Sequence, residues 1–206
     1  MKPFGNDNIL LCDNHVLVVD KPAEIPTQPD LAELAKAWVK QKFQKPGNVF
    51  LEPIHRLDKP VAGVVLFART SKALSRLQEQ MRERQMKKIY HGWVEGAPEQ
   101  DEGELRHLLL HGEFRAEISP EGKEAILEYK VLKKEKNRTE LRIVLHTGRY
   151  HQIRAQFSAI GCPILGDKKY GSQTPWKKGI ALIAKELSFK HPVTQEELRV
   201  KSRFED

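Results

Sequence analysis

The sequence predicts an α+β fold with more strand than helix, and three observations lead to this prediction. Residues 16–20 and 89–94 are short, mainly apolar runs of the length and composition typical of strands. Two later stretches alternate apolar with polar residues around a charged tip, which predicts an antiparallel hairpin. The apolar positions of this hairpin are Leu127, Tyr129, Val131, Leu141, Ile143 and Leu145. Helical patterns do not alternate regularly with the strands, which argues against a doubly wound sheet.

Helices are predicted where apolar residues recur at helical spacing. In chain order these residues are Leu31, Leu34, Ala35 and Trp38; Leu74, Leu77 and Met81; and Ile153, Phe157 and Ile160. The first helix is expected to end before Pro46, and Ser71 is expected to cap the second. Gly161 and Pro163 are expected to terminate the third.

Two further strands complete the predicted sheet. Residues 61–67 form a β-rich run that contains Gly63, which predicts a central strand approached closely by another backbone. Residues 180–189 are the last good strand candidate.

Composition excludes several classes of protein. The chain has 206 residues, of which 39% are hydrophobic, and this suits one domain or two small lobes that share a core. No stretch approaches the roughly 20 apolar residues that cross a bilayer, and the first seven residues contain no apolar run, so neither a membrane span nor a secretory signal is expected. The two cysteines, Cys12 and Cys162, form no CxxC pair, which argues against a disulfide framework or a cysteine zinc site and favours the cytoplasm.

The chain is basic, with a net charge of +7, and the charge is unevenly distributed. Between Arg69 and Lys88 there are seven basic and two acidic residues, a net +5. Arg76, Arg82 and Arg84 in this stretch are candidates for contacts with the phosphates of a polyanion, although a solvated helix face explains them equally well. Residues 168–178 mix cations with aromatics, as phosphate contact and base stacking require, but an exposed loop is the alternative.

Asp58 is the first candidate for chemistry. It lies in the segment of residues 55–60, directly before the predicted strand that contains Gly63, and Pro60 stiffens the turn. A rigid turn at the edge of a core holds a carboxylate in place and leaves it accessible. The alternative is a turn aspartate that bonds its own backbone.

Arg154 is the second candidate. It follows the turn Thr147-Gly148, in the first turns of a predicted helix and next to the core residue Ile153. A semi-buried guanidinium requires an anion. Asp58 is one candidate for that anion, and a purely structural salt bridge is the alternative.

These segments resemble the signatures of the RluA family of RNA pseudouridine synthases, over nearly the whole chain. Five groups of residues stand in the family's order: 8–10 with 18–23, 55–58 with Gly63, 87–90 with Val94 and Gly96, 146–154 with 161–167 and 170–171, and 180–182 with 189–192. The chain departs from the family pattern at Val61-Ala62, where Thr-Ser is usual, and at Gly179 and Ile183, where Arg and His are usual. These departures bear on substrate choice more than on activity.

The resemblance implies a pseudouridine synthase fold, in which a mixed, largely antiparallel sheet is flanked by helices and carries a central catalytic cleft. Residues 1–206 are expected to form one catalytic domain with two lobes. A separate N-terminal S4 domain for RNA binding is not expected.

The resemblance also implies the reaction and the roles of its residues. Uridine within RNA is isomerised without a cofactor or a metal: the base leaves C1′, rotates and rejoins through C5. Asp58 would attack C1′ or remove the C2′ proton, Arg154 would orient Asp58, and Tyr90 would stack on the base and relay a proton. Leu182 would pack beneath the uracil. Arg56 would fill the gap left by the flipped base, with a phosphate contact or a salt bridge as the alternative. His55 and His151 are expected to be structural.

The expected partner is structured RNA, with ribosomal RNA slightly favoured over transfer RNA, and the expected state is a monomer in the cytoplasm. Two other functions remain open. One is an RNA-binding module without catalysis. The other is a nucleoside or glycoside hydrolase, which usually needs a second carboxyl group that the motifs do not provide.

Overall fold

The structure is a computed structural model that describes residues 4–205. The expectation about a secretory signal rests in part on residues 1–3, which lie outside this range. Two compact units are present, one formed by the chain up to Met86 together with Ala184–Glu205, the other by Lys87–Ile183. The predicted α+β class is confirmed, since the described residues form three α-helices and eleven strands.

Within the described residues, the first unit contains six strands and two helices. Its strands are β1 (Ile9–Cys12), β2 (Val16–Lys21), β3 (Glu52–Pro53), β4 (Ala62–Ala68), β10 (Leu182–Lys190, from Ala184 onward) and β11 (Glu197–Lys201). β2 pairs with β1 and β4, β3 with β4, and β10 with β11. The helices are α1 (Ala32–Lys42) and α2 (Ser71–Arg82).

The core of the first unit follows from strand alternation. The side chains that β2 and β4 send to one face, among them Val16, Val18, Val64 and Leu66, pack with Leu77 of α2. Each such apolar side chain contributes about 1.5–3 kcal/mol when it is removed from water. This core fixes β4, and with it the segment that precedes β4 and contains Asp58.

Gly63 in β4 is required by its neighbour. Its φ of +117° is one that side chains rarely adopt, and a Cβ at this position would lie 2.3 Å from the backbone oxygen of Ala184. The prediction of a strand with a close backbone approach is therefore confirmed.

The second unit is a five-stranded antiparallel sheet with one helix. Its elements are β5 (Lys87–Glu95), β6 (Glu102–His111), β7 (Ala116–Ile118), β8 (Lys123–Glu135), β9 (Arg138–Leu145) and α3 (Gln152–Ala159). The strand order is β5-β9-β8-β6-β7. The predicted hairpin is β8–β9, in which Leu127, Tyr129 and Val131 lie opposite Leu145, Ile143 and Leu141.

The sequence prediction was wrong in details of the helices. Thr70, and not Ser71, caps α2, because its hydroxyl accepts a hydrogen bond from the backbone nitrogen of Ala73 at 3.1 Å. Leu34 is 40% exposed, since the buried face of α1 is formed by Leu31, Ala35 and Val39. Within residues 4–205, no helix is long and apolar enough to cross a membrane.

Candidate active site

Asp58 is half-buried in a turn between β3 and β4. The turn is closed by a hydrogen bond of 3.0 Å from the backbone nitrogen of Val61 to the backbone oxygen of Asp58. Leu57 beside it is buried and Arg56 is exposed. The turn therefore presents Asp58 at the border of a packed core.

Thr27 holds the residue that precedes Asp58. Its hydroxyl donates to the backbone oxygen of Leu57 and accepts from the backbone nitrogen of Leu57, each at 3.0 Å. Thr27 is only 2% exposed, so these bonds are shielded from water.

Lys21 holds the residue that follows Asp58. It is fully buried, and its ammonium group donates to the backbone oxygens of Pro22, Ile25 and Lys59 at 3.1, 2.7 and 3.2 Å. A buried charge requires such partners, because the loss of hydration is otherwise costly. The backbone is thus anchored on both sides of Asp58.

His55 forms a hydrogen bond with β4. Its Nε2 accepts a hydrogen bond from the backbone nitrogen of Leu66 in β4, at 3.2 Å. The bond fixes the start of the segment that leads to Asp58.

Tyr90 and Leu182 belong to the second unit. Tyr90 is buried in β5, and Gly92 lies two residues further along the same face. A Cβ on Gly92 would lie 3.2 Å from Cδ1 of Leu182, so the glycine provides the space that Leu182 occupies beside β5. Tyr90 and Leu182 therefore border the same face of this strand.

Arg154 is buried in α3 and bonded to a carboxylate. Its Nε and Nη2 donate to the two oxygens of Asp167 at 2.6 and 2.9 Å, and its guanidinium lies 5.0 Å from the ring centre of Tyr170. The structural salt bridge considered above is confirmed. A guanidinium carries five donors, so this pair leaves the predicted pairing with Asp58 open.

Asp167 was missed by the sequence reasoning as a functional candidate. It is 2% exposed, and the backbone nitrogens of Tyr170 and Ser172 donate to its backbone oxygen. The signal was present, because Gly166-Asp167 belongs to one of the segments that resemble the RluA family. The sequence spacing did not show that the loop after α3 turns back onto Arg154.

Glu95, at the end of β5, secures the loop that follows Asp167. One of its carboxylate oxygens accepts from Ser172 Oγ and from the backbone nitrogens of Gln173 and Thr174 at 2.7–2.8 Å. Desolvation alone would raise the pKa of Glu95, but these hydrogen bonds outweigh it and lower the pKa. The carboxylate therefore remains ionised and holds the loop.

His151 contacts two tyrosines. It begins α3 with a left-handed φ of 50°, and its Nδ1 lies 3.0 Å from the hydroxyl of Tyr170. Its ring also stacks on Tyr150, with 3.8 Å between centroids.

The candidate basic residues in and just after α2 differ in their surroundings. Arg76 is half-buried and donates to the backbone oxygen of Pro192 at 2.6 Å, whereas Arg82 and Arg84 are exposed. The loop of residues 168–178 is mostly exposed, and Lys169 donates to the backbone oxygen of Phe114.

A family model described as RNA pseudouridylate synthase matches residues 15–159, a stretch that includes Asp58, Tyr90 and Arg154. The chain belongs to this family. It is accordingly an RNA pseudouridine synthase, an isomerase that acts on RNA, and the resemblance to the RluA family is confirmed.

Curated relatives of this pseudouridine synthase agree. The dual-specificity RNA pseudouridine synthase RluA of Pasteurella multocida is 38% identical over 202 residues, which cover 92% of this chain and 89% of the relative. Ribosomal large subunit pseudouridine synthase C of Escherichia coli O157:H7 is 33% identical, over 97% of this chain and 67% of the relative.

Solved structures confirm the predicted pseudouridine synthase fold. Human RNA pseudouridylate synthase domain containing 4 superposes with a TM-score of 0.83 at 22% identity, covering 96% of this chain and 88% of that one. Human RNA pseudouridylate synthase domain containing 1 gives a TM-score of 0.80 at 21% identity, covering 99% and 86%.

Proposed function

We propose that this pseudouridine synthase modifies specific uridines in ribosomal RNA first and in transfer RNA second, with Asp58, Tyr90 and Arg154 as its catalytic residues. The observation that carries the proposal is the anchoring of Asp58, whose two neighbours in the chain are held by the buried side chains of Thr27 and Lys21. The two RNA classes are proposed because the relatives include enzymes named for dual specificity and for the large ribosomal subunit. The protein is proposed to act as a monomer.

The proposed chemistry balances without another reactant. The N1–C1′ bond of uridine breaks and a C5–C1′ bond forms. C5 loses its proton, and N1 gains one. Breaking the first bond develops positive charge on the sugar, which the carboxylate of Asp58 stabilises.

The remaining residues would bind and orient. Arg154, held by Asp167, would supply positive charge that keeps Asp58 ionised and aligned. Tyr90 would stack on the extruded base, Leu182 would pack beneath it, and Arg56 would occupy the gap it leaves or contact a phosphate.

Asp58 has two possible roles, which an isotope measurement separates. Removal of the C2′ proton breaks a carbon–hydrogen bond, whereas attack on C1′ leaves that bond intact. RNA with deuterium at C2′ is therefore expected to react more slowly only if Asp58 acts as a base.

The function is tested by mapping pseudouridine in total RNA with and without the gene. Sites that disappear with the gene, and return when wild-type protein is supplied, identify the substrate. Loss only from an RNA class other than ribosomal or transfer RNA would contradict the proposed substrates, and release of free uracil would identify a hydrolase.

The Asp58→Asn variant tests the catalytic residue. The amide keeps the shape of the side chain and removes its charge, so isomerisation is expected to be abolished while RNA binding and folding are retained. Asp30→Asn is the matched control, because Asp30 is an exposed aspartate of the same unit. Turnover of Asp58→Asn within about tenfold of wild type, a barrier change of only about 1.4 kcal/mol, would refute the assignment.

A further inference from the structure

Thr27 joins two segments that are distant in sequence. Its hydroxyl bonds the backbone nitrogen and the backbone oxygen of Leu57, which is 30 residues away. A hydroxyl has one donor and two acceptor positions, so a single side chain satisfies both polar groups of one peptide residue. Thr27 therefore acts on Leu57 as a neighbouring strand would.

Leu57 lies between β3 and β4 and belongs to no strand. Buried backbone groups need hydrogen-bond partners, and the hydroxyl of Thr27 bonds both groups of Leu57. The Leu57 side chain is 6% exposed, so its own packing adds a second restraint. The position of Cα in Asp58, one residue further along the chain, depends on this arrangement.

We infer that Thr27 is a positioning residue for the reaction: it sets the orientation of Asp58 without touching RNA. This inference rests on the proposed role of Asp58. A small misplacement of a catalytic group lowers the rate strongly, by about 100-fold for about 1 Å. The hydroxyl is therefore expected to affect the chemical step and not the binding of RNA.

Two substitutions separate the hydroxyl from the shape of the side chain. Thr27→Val keeps the volume and removes the hydroxyl, and it is expected to lower the single-turnover rate at saturating RNA by about 10- to 100-fold. Thr27→Ser keeps the hydroxyl, and its single-turnover rate is expected to remain within about threefold of wild type, because Asp58 is not misplaced. RNA affinity is expected to be the same for all three proteins.

Thr139→Val is the matched control. Thr139 is also buried, and its hydroxyl donates to the backbone oxygen of Gly96 at 2.6 Å, in the second unit. Both Thr139→Val and Thr27→Val are expected to lose thermal stability. Only Thr139→Val is expected to keep the wild-type rate of the chemical step in the fraction that remains folded.

Hydrogen exchange gives a readout independent of activity. The backbone N–H of Leu57 donates to Thr27, so it is expected to exchange faster in Thr27→Val than in wild type or Thr27→Ser. A folded Thr27→Val protein with the wild-type single-turnover rate would overturn the inference, as would a Thr27→Ser protein as slow as the valine variant. Wild-type protein that forms no pseudouridine would instead overturn the proposed function.

Discussion

Arg154 combines a charge that catalysis is proposed to use with a contact on which folding depends. Its guanidinium and the carboxylate of Asp167 are 4% and 2% exposed, and they share two hydrogen bonds. Pairs of this geometry are strong because each charge is satisfied by the other in a medium of low polarity. Removal of one member leaves the other buried without its partner.

Arg154→Ala is therefore expected to lower both stability and activity. Breaking a buried pair costs on the order of 3–5 kcal/mol, and this loss is measured by chemical denaturation. Arg106→Ala is the control, because Arg106 forms ion pairs only on the exposed surface of the same unit. A variant as stable as wild type would show that the pair with Asp167 contributes little.

Tyr90→Phe separates stacking from proton transfer. The ring is retained, so the affinity for RNA is expected to change little, whereas the single-turnover rate is expected to fall because the hydroxyl is lost. Tyr129→Phe, at a buried tyrosine of β8, controls for the loss of a hydroxyl elsewhere in the same unit. Normal turnover by Tyr90→Phe would leave stacking as the only role of Tyr90.

At the level of elements, the sequence predicted all three α-helices and six of the eleven strands among the described residues; β1, β3, β6, β7 and β11 were not predicted. Alternation located β8 and β9 and their antiparallel pairing, because apolar side chains recur at every second residue on the buried face of each strand. The cap of α2 was misplaced by one residue, since Thr70 and Ser71 both carry a hydroxyl and only backbone geometry distinguishes them. Helical spacing predicted Leu34 on the buried face of α1. Leu34 is exposed, and Val39 is buried on that face.

The site could be predicted only in part. Single residues such as Asp58, Tyr90 and Arg154 were identified by local motifs, and their roles remain predictions. The contacts that hold them were not identified. Thr27 lies 30 residues before Leu57 and Asp167 lies 13 residues after Arg154, and these contacts depend on tertiary packing that sequence spacing does not encode.

The C-terminal end of α2 is the element proposed to hold the RNA backbone. Replacing Arg82 and Arg84 by Gln is expected to weaken binding to many RNAs alike. The slope of log affinity against log salt concentration is expected to become shallower by up to about 1–2. Single-turnover rates at saturating RNA are expected to change little, because phosphate contacts position the substrate. Adding Arg76→Gln is expected also to lower stability, since Arg76 bonds Pro192.

Lys40→Gln with Lys45→Gln is the control for this experiment. Both lysines are exposed in the same unit, and the change in net charge is the same. If the two double variants have the same salt dependence, α2 contributes only through net charge, and the solvated-surface interpretation is correct.

Over the whole molecule, charge is divided between regions. Residues 99–128 contain nine acidic and three basic residues, a net charge of −6, so the rest of the chain carries +13. A region of this sign repels the phosphates of RNA, and association depends on the distribution of charge as well as its total. The phosphate contacts are therefore expected to lie outside residues 99–128.

Neutralising exposed acids in this region tests the expectation. Glu99, Glu113 and Glu121 are exposed, and their replacement by Gln is expected to leave RNA affinity unchanged or to raise it. Neutralising the same number of arginines in and just after α2 is expected to change RNA affinity more. A clear loss of affinity in the glutamine variant would place RNA contacts within the acidic region.

The first unit consists of two separate stretches of chain, and the second unit lies between them in sequence. During synthesis the ribosome therefore completes the second unit before it begins residues 184–205, which contain most of β10 and all of β11. Domains fold as units, commonly in the order in which they are made. This late stretch contains Ala184, which lies against Gly63. It also contains Ser202 and Arg203, which donate hydrogen bonds to Asp20. The unit that carries Asp58 consequently reaches its final structure only after residues 184–205 have been made, and the onset of activity is delayed until then.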